Sequence, residues 1–195
     1  MTRPIKPYGI LTYHTYSRCI NQENMMKDKR VKELMLIVMQ ETLELFNFKL
    51  CGFEILDNHF HFVIKTVAGG ENISKIMQRI KSVFAIRYNR MHGRTGPLWN
   101  ERYGWTVVEQ AEEPEKYLLH LLWYMAYNSY RKNYVNNPRD YEYGSINCYL
   151  DEKYCPKLKS TPHEFFLNLG KTFEACVKKF LIHEQRLLDR LWCQR

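Results

Sequence analysis

The alternation of apolar and polar positions predicts seven regular segments ahead of a looser C-terminal portion. Residues 9–18 (GILTYHTYSR) are dense in β-branched and aromatic side chains and predict a strand. Between about 28 and 47, Val31, Leu34, Met35, Val38, Met39, Thr42, Leu45 and Phe46 recur at helical spacing, with Asp28 as N-cap. KLCGFEIL (49–56) and HFHFVIKT (59–66) predict two more strands, antiparallel across an Asp57-Asn58 turn. Gly69-Gly70 precedes a second helix at about 72–91, and Gly93 with Gly96-Pro97 marks a loop. RYGWTVVE (102–109) predicts a fourth strand, and Glu112, Glu113 and Pro114 open a third helix over about 114–134.

The order β-α-β-β-α-β-α predicts an α+β fold: a four-stranded, largely antiparallel, ferredoxin-like sheet with helices packed on it. A polar, tyrosine-rich connector (135–160) follows. Thr161-Pro162-His163-Glu164 reads as a capping box, and C-terminal helices interrupted near Gly170 complete the chain. The expected division is a catalytic domain over 1–150 and a basic helical extension over 151–195.

Composition narrows the class. The 195 residues are 45% hydrophobic, enough for a core without disulfides or a structural metal. A net charge of +8 and a pI near 9.1 favour a polyanionic partner, nucleic acid first and anionic membrane second. The six cysteines (Cys19, Cys51, Cys148, Cys155, Cys176, Cys193) form no C-x-x-C pair and no zinc-finger spacing. Reduced thiols, an N-terminus without an apolar signal segment, and no apolar run approaching the roughly 18 residues of a membrane span together predict a cytoplasmic protein with no membrane partner.

Candidate chemistry begins at DNHFHFVIK (57–65). On a strand, i and i+2 share a face, so His59 and His61 project together while Phe60, Phe62 and Ile64 enter the core. Two such imidazoles either bind a divalent metal or are ordinary hydrogen-bonded strand histidines. On the third helix Tyr124 and Asn128 are i and i+4, at the edge of the stripe formed by Leu118, Leu122 and Met125. Asn128 offers an amide oxygen to a metal and Tyr124 a phenol to a phosphate. The bland alternative makes Tyr117, Tyr124 and Tyr127 packing aromatics with wet hydroxyls. A phenol is a weak nucleophile at neutral pH, which a nearby divalent cation corrects. His120, one turn before Tyr124, is a candidate proton shuttle or a polar helix-edge residue.

Between Lys75 and Tyr103 basic residues outnumber the single acid Glu101 and are interleaved with aromatics. Lys81, Arg87, Arg90, Arg94, Trp99 and Arg102 are the candidate nucleic-acid contacts, cations for phosphates and ring faces for unpaired bases. For any one of them a solvated helix face or a core aromatic explains it as well.

These pieces resemble the single-tyrosine HUH (His-hydrophobic-His) transposases, particularly the REP-associated tyrosine transposases, over residues 8–150. The likeness rests on YHTYSR (13–18), NHFHFVI (58–64), GPLWNERY (96–103) and WYMAYNSYRKNYV (123–135). It implies cleavage and rejoining of single-stranded DNA beside hairpins with Mg²⁺ or Mn²⁺, through a 5′-phosphotyrosine that releases a 3′-hydroxyl. It makes His59 and His61 metal ligands, Asn128 the third ligand and Tyr124 the nucleophile, in a monomer or homodimer. Two positions depart from the family pattern: Asp57 and Ser129 each stand where a proline is usual. The rival functions are a non-catalytic nucleic-acid-binding protein on the same scaffold and a metal-dependent RNA-processing nuclease using water.

Overall fold

A computed structural model describes residues 9–192, the side chains of 190–192 excepted. Four strands, β1 (Thr12–Arg18), β2 (Phe48–Ile55), β3 (His59–Thr66) and β4 (Gly104–Val107), form one sheet in the order β2-β3-β1-β4, with every neighbouring pair antiparallel. The helices are α1 (Lys29–Leu45), α2 (Ile73–Met91), α3 (Pro114–Arg131), a short α4 (Glu164–Leu167) and α5 (Phe173–Trp192). This is the expected α+β arrangement.

The sheet divides two cores. On one face Tyr13, Phe60, Phe62 and Ile64 pack against Val31, Met35, Val38 and Met39 of α1 and Ile76, Met77, Ile80 and Phe84 of α2. On the other, Cys51 and Val63 meet Leu118, Leu122, Trp123 and Met125 of α3, which is backed by Phe166, Cys176 and Phe180. A register shift between Leu50 and Gly52 lets Leu50 and Phe53, three apart, both face the first core while Cys51 faces the second. The C-terminal helices therefore share the core of α3: Trp123 Nε1 donates to the Phe180 carbonyl (3.1 Å), and Tyr127 to Glu184 Oε1 (2.9 Å).

Several boundaries differ from expectation. Asp28 caps α1 by accepting from the Arg30 amide, as its position suggested. The first strand begins at Thr12, and the fourth is only four residues long because a 3-10 turn (Val108–Gln110) replaces its end. The capping box is not formed: α4 starts at Glu164 and is capped by His163, whose Nδ1 accepts from the Phe165 amide. The third helix stops at Arg131, not 134, although Ser129 stands where the family pattern has a proline. Asn133 takes a left-handed conformation (φ 57°), its amide donating to the Tyr130 carbonyl and that of Tyr134 to the Ser129 carbonyl. This is a Schellman termination, in which a residue tolerant of φ > 0 does the work of the missing proline.

The other departure, Asp57, lies buried against Lys32 of α1 with Nζ–Oδ1 at 2.6 Å. Cys19, Cys51, Cys148 and Cys176 are buried free thiols and Cys155 is exposed, while Cys193 lies outside the described residues. Burial pushes the Cys19 and Cys51 thiols up to about 12, which favours the thiol over the nucleophilic thiolate. Among the described residues no helix is long and apolar enough to cross a membrane.

Candidate active site

Strand alternation puts His59 and His61 on the sheet face covered by α3, opposite the buried Phe60 and Phe62. Their rings lie 5.2 Å apart, edge to face. The β1–β3 register sets Arg18 opposite His59 and Tyr16 opposite His61, so Arg18, Tyr16 and His14 line the same face. His14 Nε2 is 2.9 Å from His61 Nδ1, with the two rings stacked at 17°. His59 Nδ1 hydrogen-bonds Asn58 Oδ1 at 2.7 Å. The Asn58 amide group also donates to the Gln22 carbonyl, so the turn before His59 is tied down. Gly104 lies opposite Tyr16 on β4, where a Cβ would collide with the tyrosine ring; glycine lets that ring lie across the neighbouring strand.

The three histidines are held neutral. Burial lowers His14 to about 4 and His59 to about 4, the latter helped by the positive charges of Arg18 and Lys132. Burial pushes His61 well below its ordinary value, with His14, His59, Arg18 and Arg131 adding to the effect. Neutral imidazole is the form that binds metals.

From α3, the Tyr124 ring lies nearly perpendicular to that of His61, centroids 6.4 Å apart, and is 42% exposed. The Arg131 guanidinium lies 4.8 Å from the Tyr124 ring centroid and donates to Asn128 Oδ1 at 2.6 Å. Tyr127, three residues on, is buried and bonded to Glu184 on the α5 side, and burial pushes its phenol up. Beside Tyr124, a cleft of about 300 Å³ is lined by His14, Tyr117, His120, Leu121, Tyr124 and Leu187. His120 in that cleft lies edge to face with His183 of α5, 5.1 Å between centroids.

The residues fit a divalent cation in part. His59 and His61 each have Nδ1 occupied by a neighbour, which leaves Nε2 as the nitrogen for a metal. Asn128 has the right donor type, but its oxygen is engaged by Arg131 and its Nδ2 is buried without a hydrogen-bond partner among the described residues. Among the described residues no three His, Cys, Asp or Glu side chains are grouped closely enough to hold a metal. Two imidazoles and an amide carry no charge to offset a dication, so such a donor set binds best when a phosphate supplies the negative ligand.

The sequence-predicted DNA contacts are distributed differently. Lys81, Arg87 and Arg90 belong to α2, which packs on the face opposite the histidines. Arg87 is paired with Glu41 through two bonds of 2.8 Å. Lys81 donates to the Glu101 carbonyl, and burial lowers its ammonium to about 8. Trp99 packs on Phe60 and Phe84 and donates to the Lys81 carbonyl, so its ring belongs to the core more than to a base-stacking surface. Arg94 lies over Tyr88, while Arg90 and Arg102 are exposed. The cations near the histidine face are Arg18, Arg131 and Lys132, none of which stood out in the sequence. His14 was also missed. The signal for it was the alternation His14, Tyr16, Arg18 on a strand that pairs with β3.

Residues 8–120 match the model of the IS200-like transposases, more than half of the chain, and the chain belongs to that family. It is thus a member of a family of DNA transposases. The matched residues include His14, His59 and His61 and end before Tyr124 and Asn128. Among solved structures the chain is similar to a REP-associated tyrosine transposase bound to a REP hairpin. The TM-score is 0.62 at 12% identity, over 83% of this chain and 92% of that one, a likeness of fold. A putative transposase from Deinococcus radiodurans R1 shares 15% identity over 62% of this chain and 94% of that one, with a TM-score of 0.41. No curated protein matches the chain in sequence.

Proposed function

We propose that the chain cuts and rejoins structured single-stranded DNA by transient covalent attachment to Tyr124, with Mg²⁺ or Mn²⁺ held by His59, His61 and Asn128. The observation that carries this is the half-exposed Tyr124 ring set against His61 across the α3–sheet interface. Tyr127, the other tyrosine on that stretch of helix, is buried and bonded elsewhere.

Tyr124 Oη attacks the phosphorus of a phosphodiester lying over the histidine face. The Oη–P bond forms, the P–O3′ bond breaks, and the departing oxygen takes up a proton to become a 3′-hydroxyl. One phosphodiester has been exchanged for another, so a 3′-hydroxyl from a second strand end can reverse the step without outside energy. When bound, a divalent cation neutralises the non-bridging oxygens and raises the electrophilicity of phosphorus. The positive charges of Arg18, Arg131 and Lys132 favour the phosphate and the phenolate. We assign the movement of the phenol proton to His120, which lines the cleft beside Tyr124.

The REP-associated relative was solved with a hairpin, and we extend a hairpin-flanked single strand to this chain as substrate. The exposed Arg90 and Arg102 are the α2-side residues left for its more distant phosphates.

The test is a labelled hairpin-flanked single strand incubated with Mg²⁺ or Mn²⁺ and then denatured. An adduct that survives denaturation is expected, and Tyr124→Phe should abolish it while DNA binding persists. An adduct in Tyr124→Phe refutes the nucleophile, and undiminished cleavage in His59→Ala/His61→Ala refutes the metal ligands.

A further inference from the structure

We infer that His14 is a positioning residue for the metal site, its Nε2 accepting the Nδ1–H of His61 and so presenting the His61 Nε2 lone pair to the cation. This rests on the metal ligation proposed above.

The geometry is specific. His14 and His61 are diagonal neighbours in the β1–β3 ladder, since Tyr16 lies opposite His61 and His14 opposite Val63. Their nitrogens are 2.9 Å apart, their rings stack at 17°, and they are only 7% and 8% exposed, so neither ring is free to turn. Two neutral imidazoles can share this bond in two ways. With His14 donating, the His61 proton sits on Nε2 and no lone pair remains for a metal. With His61 donating, Nε2 is unprotonated and points away from His14.

His59 shows the second arrangement with a different partner. Asn58 Oδ1 can only accept, so the proton of His59 lies on Nδ1 and its Nε2 is the lone-pair nitrogen. His14 does for His61 what Asn58 does for His59. Its loss would also open room, because His14 forms part of the wall of the cleft beside Tyr124. A shortened side chain there leaves His61 able to rotate away from the metal position.

A merely structural histidine on β1 would support the sheet whichever ring carried the proton, so the test reads metal affinity and tautomer. Mn²⁺ binding to the full chain is followed by the paramagnetic resonance of the free ion. His14→Ala is expected to weaken Mn²⁺ affinity by about 10–100-fold, the usual effect of losing an outer partner. His14→Gln should restore most of the affinity, since its Oε1 can stand where Nε2 stood and accept the same bond. His61→Ala should abolish binding. In the unsubstituted protein with Mg²⁺, ¹⁵N shifts should show His61 protonated on Nδ1 only.

Wild-type affinity in His14→Ala alongside loss in His61→Ala overturns the role of His14 and leaves the metal site standing. Equal indifference of both variants overturns the metal ligation itself and this inference with it. A His61 protonated on Nε2, or modulation from three coordinated imidazoles in the Mn²⁺ spin echo, overturns the positioning role in favour of a purely structural or a directly ligating His14. Should His14→Ala fail to fold, His14→Gln and the ¹⁵N shifts decide.

Discussion

Replacing Lys32 with Met would leave the Asp57 carboxylate in place but without its cation. Lys32 and Asp57 are only 7% and 8% exposed, with Nζ and Oδ1 2.6 Å apart. The ammonium also lies 5.4 to 5.9 Å from the ring centroids of Tyr134, Tyr141 and Tyr143. Removing one partner of such a pair costs roughly 3–5 kcal/mol, since the other charge stays buried. The site keeps a little solvent access, which favours the lower end, about 3 kcal/mol. For a chain of this size that lowers Tm by about 6–12 °C, at roughly 2–4 °C per kcal/mol. Thermal unfolding followed by far-UV circular dichroism measures it. The double variant Lys32→Met/Asp57→Leu removes both charges and should recover most of the loss. A single-variant Tm within about 2 °C of the parent, or strictly additive effects, would refute the account. The pair also bears on the site: Asp57 starts the turn whose Asn58 carbonyl accepts from the Cys19 amide and whose next residue is His59.

Stability should fall as the solution is acidified from pH 6.5 toward 4. His163, buried with Nε2 bonded to Thr12 Oγ1 at 2.8 Å, and His183 are both lowered by burial to about 4. Below 6.5 the unfolded chain takes up protons that the native rings refuse, so stabilisation fully present above 6.5 is lost progressively down to about 4. Urea midpoints measured at pH 7, 6 and 5 test this, and an unchanged midpoint would be incompatible with neutral buried imidazoles. Tyr127→Phe removes the bond to Glu184 and should cost about 1–2 kcal/mol in urea unfolding, while leaving the covalent adduct of Tyr124 unaffected. Loss of the adduct in that variant would reassign the nucleophile.

Periodicity, with cap and turn residues as punctuation, determined the order and type of the four strands and the first three helices. Apolar alternation in 59–66 and helical spacing in 28–47 admit only one side for Phe60, Phe62, Val31 and Met35 once a core must be buried. The same alternation turned His59 and His61 to one face, and an i, i+4 spacing set Tyr124 beside Asn128. These are local rules of backbone geometry, so they survive without knowledge of neighbours.

Tertiary structure decided what depends on pairing and packing. The β1–β3 register brought His14 to within 2.9 Å of His61 across 47 residues of chain, which no local pattern encodes. Packing of α5 on α3 consumed Tyr127 and left Tyr124 toward the histidines. Packing of α2 on the far face turned its basic residues away from the site, because a stretch rich in Arg and Lys does not say which face of a sheet its helix will cover. Of the two departures from the proline pattern, one is answered by a contact that only folding supplies and the other by a local turn. Asp57 finds Lys32 on a distant helix, and beyond Ser129 the chain is turned by Asn133 in a left-handed conformation.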